Sequence, residues 1–113
     1  MKRLAFETLM DLGTVRVLIW HGHPDVCVPV KAIGKSRYVA LDYSKKFSMP
    51  LFKVTDDGIR AKLSFGGVEE HTFIPWDAVV AVLQNGKVME FWGEGIVVDT
   101  VDQKWVHQGS VEA

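Results

Sequence analysis

His21 and His23 stand two residues apart, with Cys27 four further on and His71 and His107 remote from them. Residues two apart on an extended strand share a face, so a His-x-His pair could hold a metal ion. Zinc asks for four nitrogen or sulfur ligands, or three and a water. Here the pair lies in His21-Gly22-His23-Pro24-Asp25, which reads instead as a polar turn before a proline. Cys27 with a histidine would make a nucleophile pair. It sits, however, in the alternating run Val26 to Val30, where a small buried hydrophobe is the expected role. The carboxylate pairs Asp56-Asp57 and Glu69-Glu70 are adjacent in sequence, so on a strand their members face opposite ways. Asp56-Asp57-Gly58 is also ordinary turn chemistry. No Gly-x-Ser-x-Gly or Walker pattern occurs, and no acid, base and nucleophile assemble. The expectation is a protein that is not an enzyme and uses no cofactor and no metal.

What remains is binding. Trp20, Trp76, Trp92 and Trp105, with six phenylalanines and two tyrosines, are a generous aromatic supply. Aromatics interleaved with lysines could stack bases in a small barrel that binds RNA or single-stranded DNA. Lys31, Lys35, Arg37, Lys45 and Lys46 would supply a local basic patch for it. Against this stands a net charge of −1, since nucleic-acid affinity comes largely from neutralised phosphates. A peptide groove built from strand edges and apolar pockets fits the balance better.

The elements that must position such a groove are mostly strands. Met1 to Leu12 reads as a short amphipathic helix, with Ala5, Leu9 and Leu12 on one side, widened by Phe6 and Met10, and Gly13 as its stop. Alternation then predicts strands at Val15–Trp20, Val26–Val30, Tyr38–Tyr43 and Phe52–Thr55. Asp57-Gly58 signals a hairpin leading into Ile59–Phe65. Gly66-Gly67 interrupts the run as a bulge, tight bend or close backbone approach, before a strand at Val68–Ile74. Pro75 to Ala78 can form one helical turn, and Asn85-Gly86 joins Val79–Leu83 to Lys87–Trp92 as a hairpin. Ile96 to Val98 ends the β body (residues 14–98), and 99–113 stays unassigned.

The fold class is therefore mainly β. One N-terminal helix precedes about seven short strands in a small sandwich or partly open barrel, all in a single domain over 1–113. The longest apolar runs fall far short of the roughly 20 residues that cross a bilayer, and Glu7 and Asp11 break up any signal-peptide core. A single cysteine makes no internal disulfide, which suits the cytoplasm.

The stretch Ile59-Arg60-Ala61-Lys62-Leu63-Ser64-Phe65-Gly66-Gly67-Val68, running on through Phe73-Ile74-Pro75-Trp76-Asp77-Ala78-Val79, resembles the signature region of the stringent starvation protein B (SspB) family. Lys87-Val88-Met89-Glu90-Phe91, the Val-Pro-Val core of Val26 to Val30, and Leu4-Ala5-Phe6 with Leu9-Met10-Asp11 are similar too. The resemblance covers roughly residues 1 to 92. It implies a fold related to Sm-like barrels and a cytoplasmic bacterial adaptor that captures ssrA-like tagged polypeptides for the ClpXP protease. It implies a peptide groove at Lys62, Leu63, Ser64, Phe65, Gly66 and Gly67, and at Val88, Met89 and Phe91. It further implies a homodimer through the N-terminal helix, at Ala5, Phe6, Leu9 and Met10. Family adaptors carry an acidic tail that docks on a ClpX-type unfoldase, whereas this chain stops at Val111-Glu112-Ala113 without one. Either the tail has been removed, or this relative delivers differently, or it binds tags without delivering them.

Overall fold

The computed structural model describes residues 1–47 and 49–92, together with the backbone of two strands at Ile96–Asp99 and Lys104–His107. The protein is mainly β. One helix, α1 (Lys2–Met10), precedes seven strands in two antiparallel sheets. These strands are β1 (Val15–Trp20), β2 (Tyr38–Tyr43), β3 (Lys53–Val54), β4 (Gly58–Phe65), β5 (Val68–Pro75), β6 (Val79–Gln84) and β7 (Lys87–Phe91). One sheet runs β2-β1-β6-β7 and the other β3-β4-β5. The later strands, β8 (Ile96–Asp99) and β9 (Lys104–His107), pair with each other. Among the described residues, no helix is long and apolar enough to cross a membrane.

Strand alternation builds the core. Val15, Val17 and Ile19 of β1, Val39, Leu41 and Tyr43 of β2, and Ile59, Ala61 and Leu63 of β4 all point inward, with Ile74 of β5 and Val79 and Val82 of β6. Helix α1 closes the core with Phe6, Leu9 and Met10, three and four residues apart and so on one face. A helix of nine residues is marginal alone, and this packing is what holds it. The chain leaves the helix as Leu12 N–H and Gly13 N–H both donate to Leu9 O. Leu12, expected on the apolar face, lies beyond the last helical turn and is exposed. The face expected to meet a second copy is mostly occupied too. Phe6, Leu9 and Met10 are buried in the chain's own core, and Ala5 is half-buried. The apolar side chains that α1 and its flanks leave on the surface are Met1, Leu4 and Leu12.

Two other expectations change. The predicted strand Val26–Val30 reduces to one bridge, in which Cys27 and Phe73 exchange main-chain hydrogen bonds of 2.9 Å. Pro29 offers no N–H to continue a ladder, and the chain turns at Val30–Ala32 instead. Cys27 is exposed, not a buried hydrophobe. Of the readings of Gly66-Gly67, the tight bend holds: it is a two-residue hairpin turn, since Phe65 pairs directly with Val68. Both glycines have positive φ, +62° and +85°, which the right-handed twist of a tight hairpin demands. Asn85-Gly86 (φ +53° and +77°) turns β6 into β7 in the same way, as predicted.

Tyr43 is fully buried, its ring edge-on to Phe6 with centroids 5.3 Å apart. Its hydroxyl makes no hydrogen bond, while the neighbouring Thr72 hydroxyl donates to Ala61 O at 2.8 Å. Burial pushes the phenol far above its ordinary range, so it stays protonated. A buried polar atom without a partner costs about 1–3 kcal/mol. Tyr43→Phe is therefore expected to raise stability by about 1 kcal/mol, read as a higher urea midpoint at unchanged slope. A lower midpoint would mean the hydroxyl has a partner.

Candidate functional site

A groove of about 360 Å³ opens where the two sheets part. One wall is Ala40, Leu41 and Asp42 of β2, the other is Leu63, Ser64 and Phe65 at the end of β4, and Phe47 and Met49 form the rim. One wall is a strand at a sheet edge, and the other is the end of β4 that runs past the short β3. β2 is the outermost strand of its sheet, so alternate residues direct N–H and C=O groups away from β1. On β4, Lys62 N–H donates to Pro50 O at 2.8 Å, toward the β3 side. Ser64, two residues on, aims its main chain the same way, past the end of β3.

The side chains set the chemistry. Leu63 is a core residue at the groove floor, and Phe65, of the same parity, is half-buried at the core's mouth. Phe47 is 49% exposed, a large apolar ring left at the rim. Asp42 is held by Arg16, with Nε–Oδ1 2.8 Å and Nη2–Oδ2 3.0 Å, and this bidentate bond raises the guanidinium pKa further. Both partners are partly exposed, so the pair adds little stability, but it neutralises the carboxylate lining the groove. The rim is shaped by a turn in which Phe52 N–H donates to Met49 O at 3.2 Å, with Pro50 and Leu51 between them. Leu51 has φ +62°, a conformation leucine rarely adopts, and 65% of its surface is exposed.

Of the residues expected to form one site, only Leu63, Ser64 and Phe65 meet in this groove. Lys62 lies beside them on the outer face of its sheet, while Gly66 and Gly67 form the turn beyond. A Cβ on either glycine would meet nothing of the chain within 4 Å, so within the fold it is the positive φ that calls for glycine there. Val88, Met89 and Phe91 lie on β7, at the edge of the four-stranded sheet opposite β2. Within that sheet β6 and β1 lie between β7 and β2. Ala40, Leu41, Asp42, Phe47 and Met49 line the groove with the β4 residues. The available signal was an aromatic and a methionine inside the otherwise polar stretch Ser44 to Pro50.

The histidines serve their own loop. His21 Nε2 donates to Ser36 O at 2.7 Å, and His23 Nδ1 accepts from Asp25 N–H at 3.0 Å. Among the described residues, no three His, Cys, Asp or Glu side chains gather to hold a metal ion. Within the basic stretch, Lys31 pairs with Glu70 at 3.1 Å and Lys45 pairs with Asp11, which removes two of its charges from a common patch. Compared with protein-family models and with curated proteins, the chain matches none.

Proposed function

We propose that this chain is a non-enzymatic adaptor that binds extended degradation-tag peptides of the ssrA kind and presents them to an AAA+ protease such as ClpXP. The observation that carries the reading is the groove between the edge strand β2 and the end of β4 past β3, with an apolar floor and rim. Main-chain bonds to a strand edge hold any extended peptide, and pockets for its side chains select among sequences. The SspB resemblance at Leu63 to Gly67 points to the same strand end. The groove is large enough for a few side chains rather than a folded partner. Dimerisation through the helix, which the resemblance also implies, would fall to Met1, Leu4 and Leu12, exposed by 87%, 60% and 73%.

Titration of a fluorescent ssrA-type peptide, with a scrambled peptide alongside, tests the reading. The expected result is selective binding with Kd on the order of micromolar, equivalent to about 8 kcal/mol. Equal binding of the two peptides, or binding of neither, would remove the tag-adaptor reading and leave the fold untouched.

A further inference from the structure

We propose that the outer face of the β3-β4-β5 sheet docks an extended acidic segment of a partner protein. Cross-strand register places Lys53 opposite Arg60, Arg60 opposite Phe73, and Lys62 opposite His71. Paired residues share a face, and Ile59, Ala61 and Leu63 fill the inner one, so these side chains turn outward. Lys53, Arg60 and His71 are exposed and Lys62 is half-exposed.

Several cations elsewhere are neutralised, though Lys35, Arg37, Lys46 and Lys87 are in no ion pair among the described residues. Arg3 pairs with Glu7 and Asp56, Arg16 with Asp42, Lys31 with Glu70, and Lys45 with Asp11. On this face, among the described residues, neither Lys53 nor Lys62 has a carboxylate partner, and Arg60 rests over the Phe73 ring at 4.2 Å. The acidic residue sharing the face is Glu69, one pair beyond Lys62 and opposite Ser64. Like charges directly opposite on a sheet repel, as Lys53 and Arg60 do here. An anion laid across them relieves that repulsion.

The spacing favours a peptide over a nucleic acid. Arg60 and Lys62 repeat at about 6.7 Å along β4, the interval at which alternate residues of an extended peptide present carboxylates. Single-stranded nucleic acid gains much of its affinity from bases stacked on open aromatic rings. Phe73 is the aromatic of this face, and Arg60 already covers it. Stacking on the ring leaves a guanidinium's in-plane donors available to a carboxylate.

The test uses the whole chain and a labelled peptide of alternating glutamate and alanine, with a lysine–alanine peptide and an oligothymidine of equal length as controls. Anisotropy is read at low salt and at roughly 0.2 M, where screening shortens the reach of exposed charges. The acidic peptide is expected to bind at low salt and to weaken as salt rises. The double variant Lys53→Gln with Lys62→Gln keeps Arg60 on Phe73 and should weaken binding about tenfold. Its thermal midpoint should be unchanged or higher, because repulsion has been removed. No binding of the acidic peptide, equal binding by the variant, or tighter binding of oligothymidine would each overturn the proposal.

Discussion

Phe6→Ala should lower the stability of the folded chain by about 3–5 kcal/mol, the usual cost of truncating a buried phenylalanine. Phe6 has no accessible surface, and its ring meets Tyr43 edge-on at 5.3 Å, Trp76 at 5.9 Å and Phe52 at 6.5 Å. Those partners come from a strand, a turn and the rim loop, so the helix, the four-stranded sheet and the groove are tied together at one side chain. Leu9 and Met10, also buried, and the Gln84 Nε2 bond to Leu9 O at 2.8 Å help to hold α1. Its N-cap makes no side-chain hydrogen bond, and Lys2, which donates to Trp76 O at 3.0 Å, has its pKa lowered because part of its solvation is lost. Chemical unfolding followed by far-ultraviolet dichroism reads the effect, and with a slope of about 1–3 kcal/mol per molar urea the midpoint should fall by 1 M or more. Leu4→Ala, at a position 60% exposed, should stay within about 0.5 kcal/mol. The comparison separates two roles for the helix. A Phe6 that served mainly as a contact to a second copy would instead change the molecular mass and make the midpoint depend on protein concentration.

The sequence made some of this legible and concealed the rest for physical reasons. Val15–Trp20 and Tyr38–Tyr43 fall where alternation places them, because alternate residues of each strand fill the core and a slip of one residue would displace them. Leu18 of β1 is buried on the other face too. Asn85-Gly86 names its own turn. Gly66-Gly67 fits a bulge, a tight bend or a close backbone approach, and the pairing of Phe65 with Val68 makes it a tight hairpin bend. Val26 to Val30 looks like a strand by composition, yet Pro29 removes the donor that a ladder needs. Val88, Met89 and Phe91 read as one wall of a groove; all five residues of β7 are exposed, at the end of the four-stranded sheet opposite β2. Which strands become neighbours is a long-range fact, and two-residue periodicity carries no information about it. The same holds for Phe47 and Met49, whose role comes from where an irregular loop lands.

That separation gives the sharpest test of where a peptide binds. Phe47→Asp should weaken a tag peptide at least tenfold, about 1.4 kcal/mol or more, while Met89→Asp should leave affinity within about twofold. Phe47 and Met89 are almost equally exposed, at 49% and 48%, so neither change should disturb the core, and unfolding midpoints of both variants serve as the control. They differ in place. Phe47 stands on the groove rim with Met49, where an aspartate would set a charge against the apolar side chains of a bound peptide and leave that charge poorly solvated. Met89 projects from β7, across two intervening strands from β2. Isothermal titration of the two variants against one peptide reads both predictions together. If Met89→Asp abolishes binding and Phe47→Asp does not, the peptide binds along β7, at the other end of the four-stranded sheet. The groove between β2 and β4 would then be a feature of the fold alone.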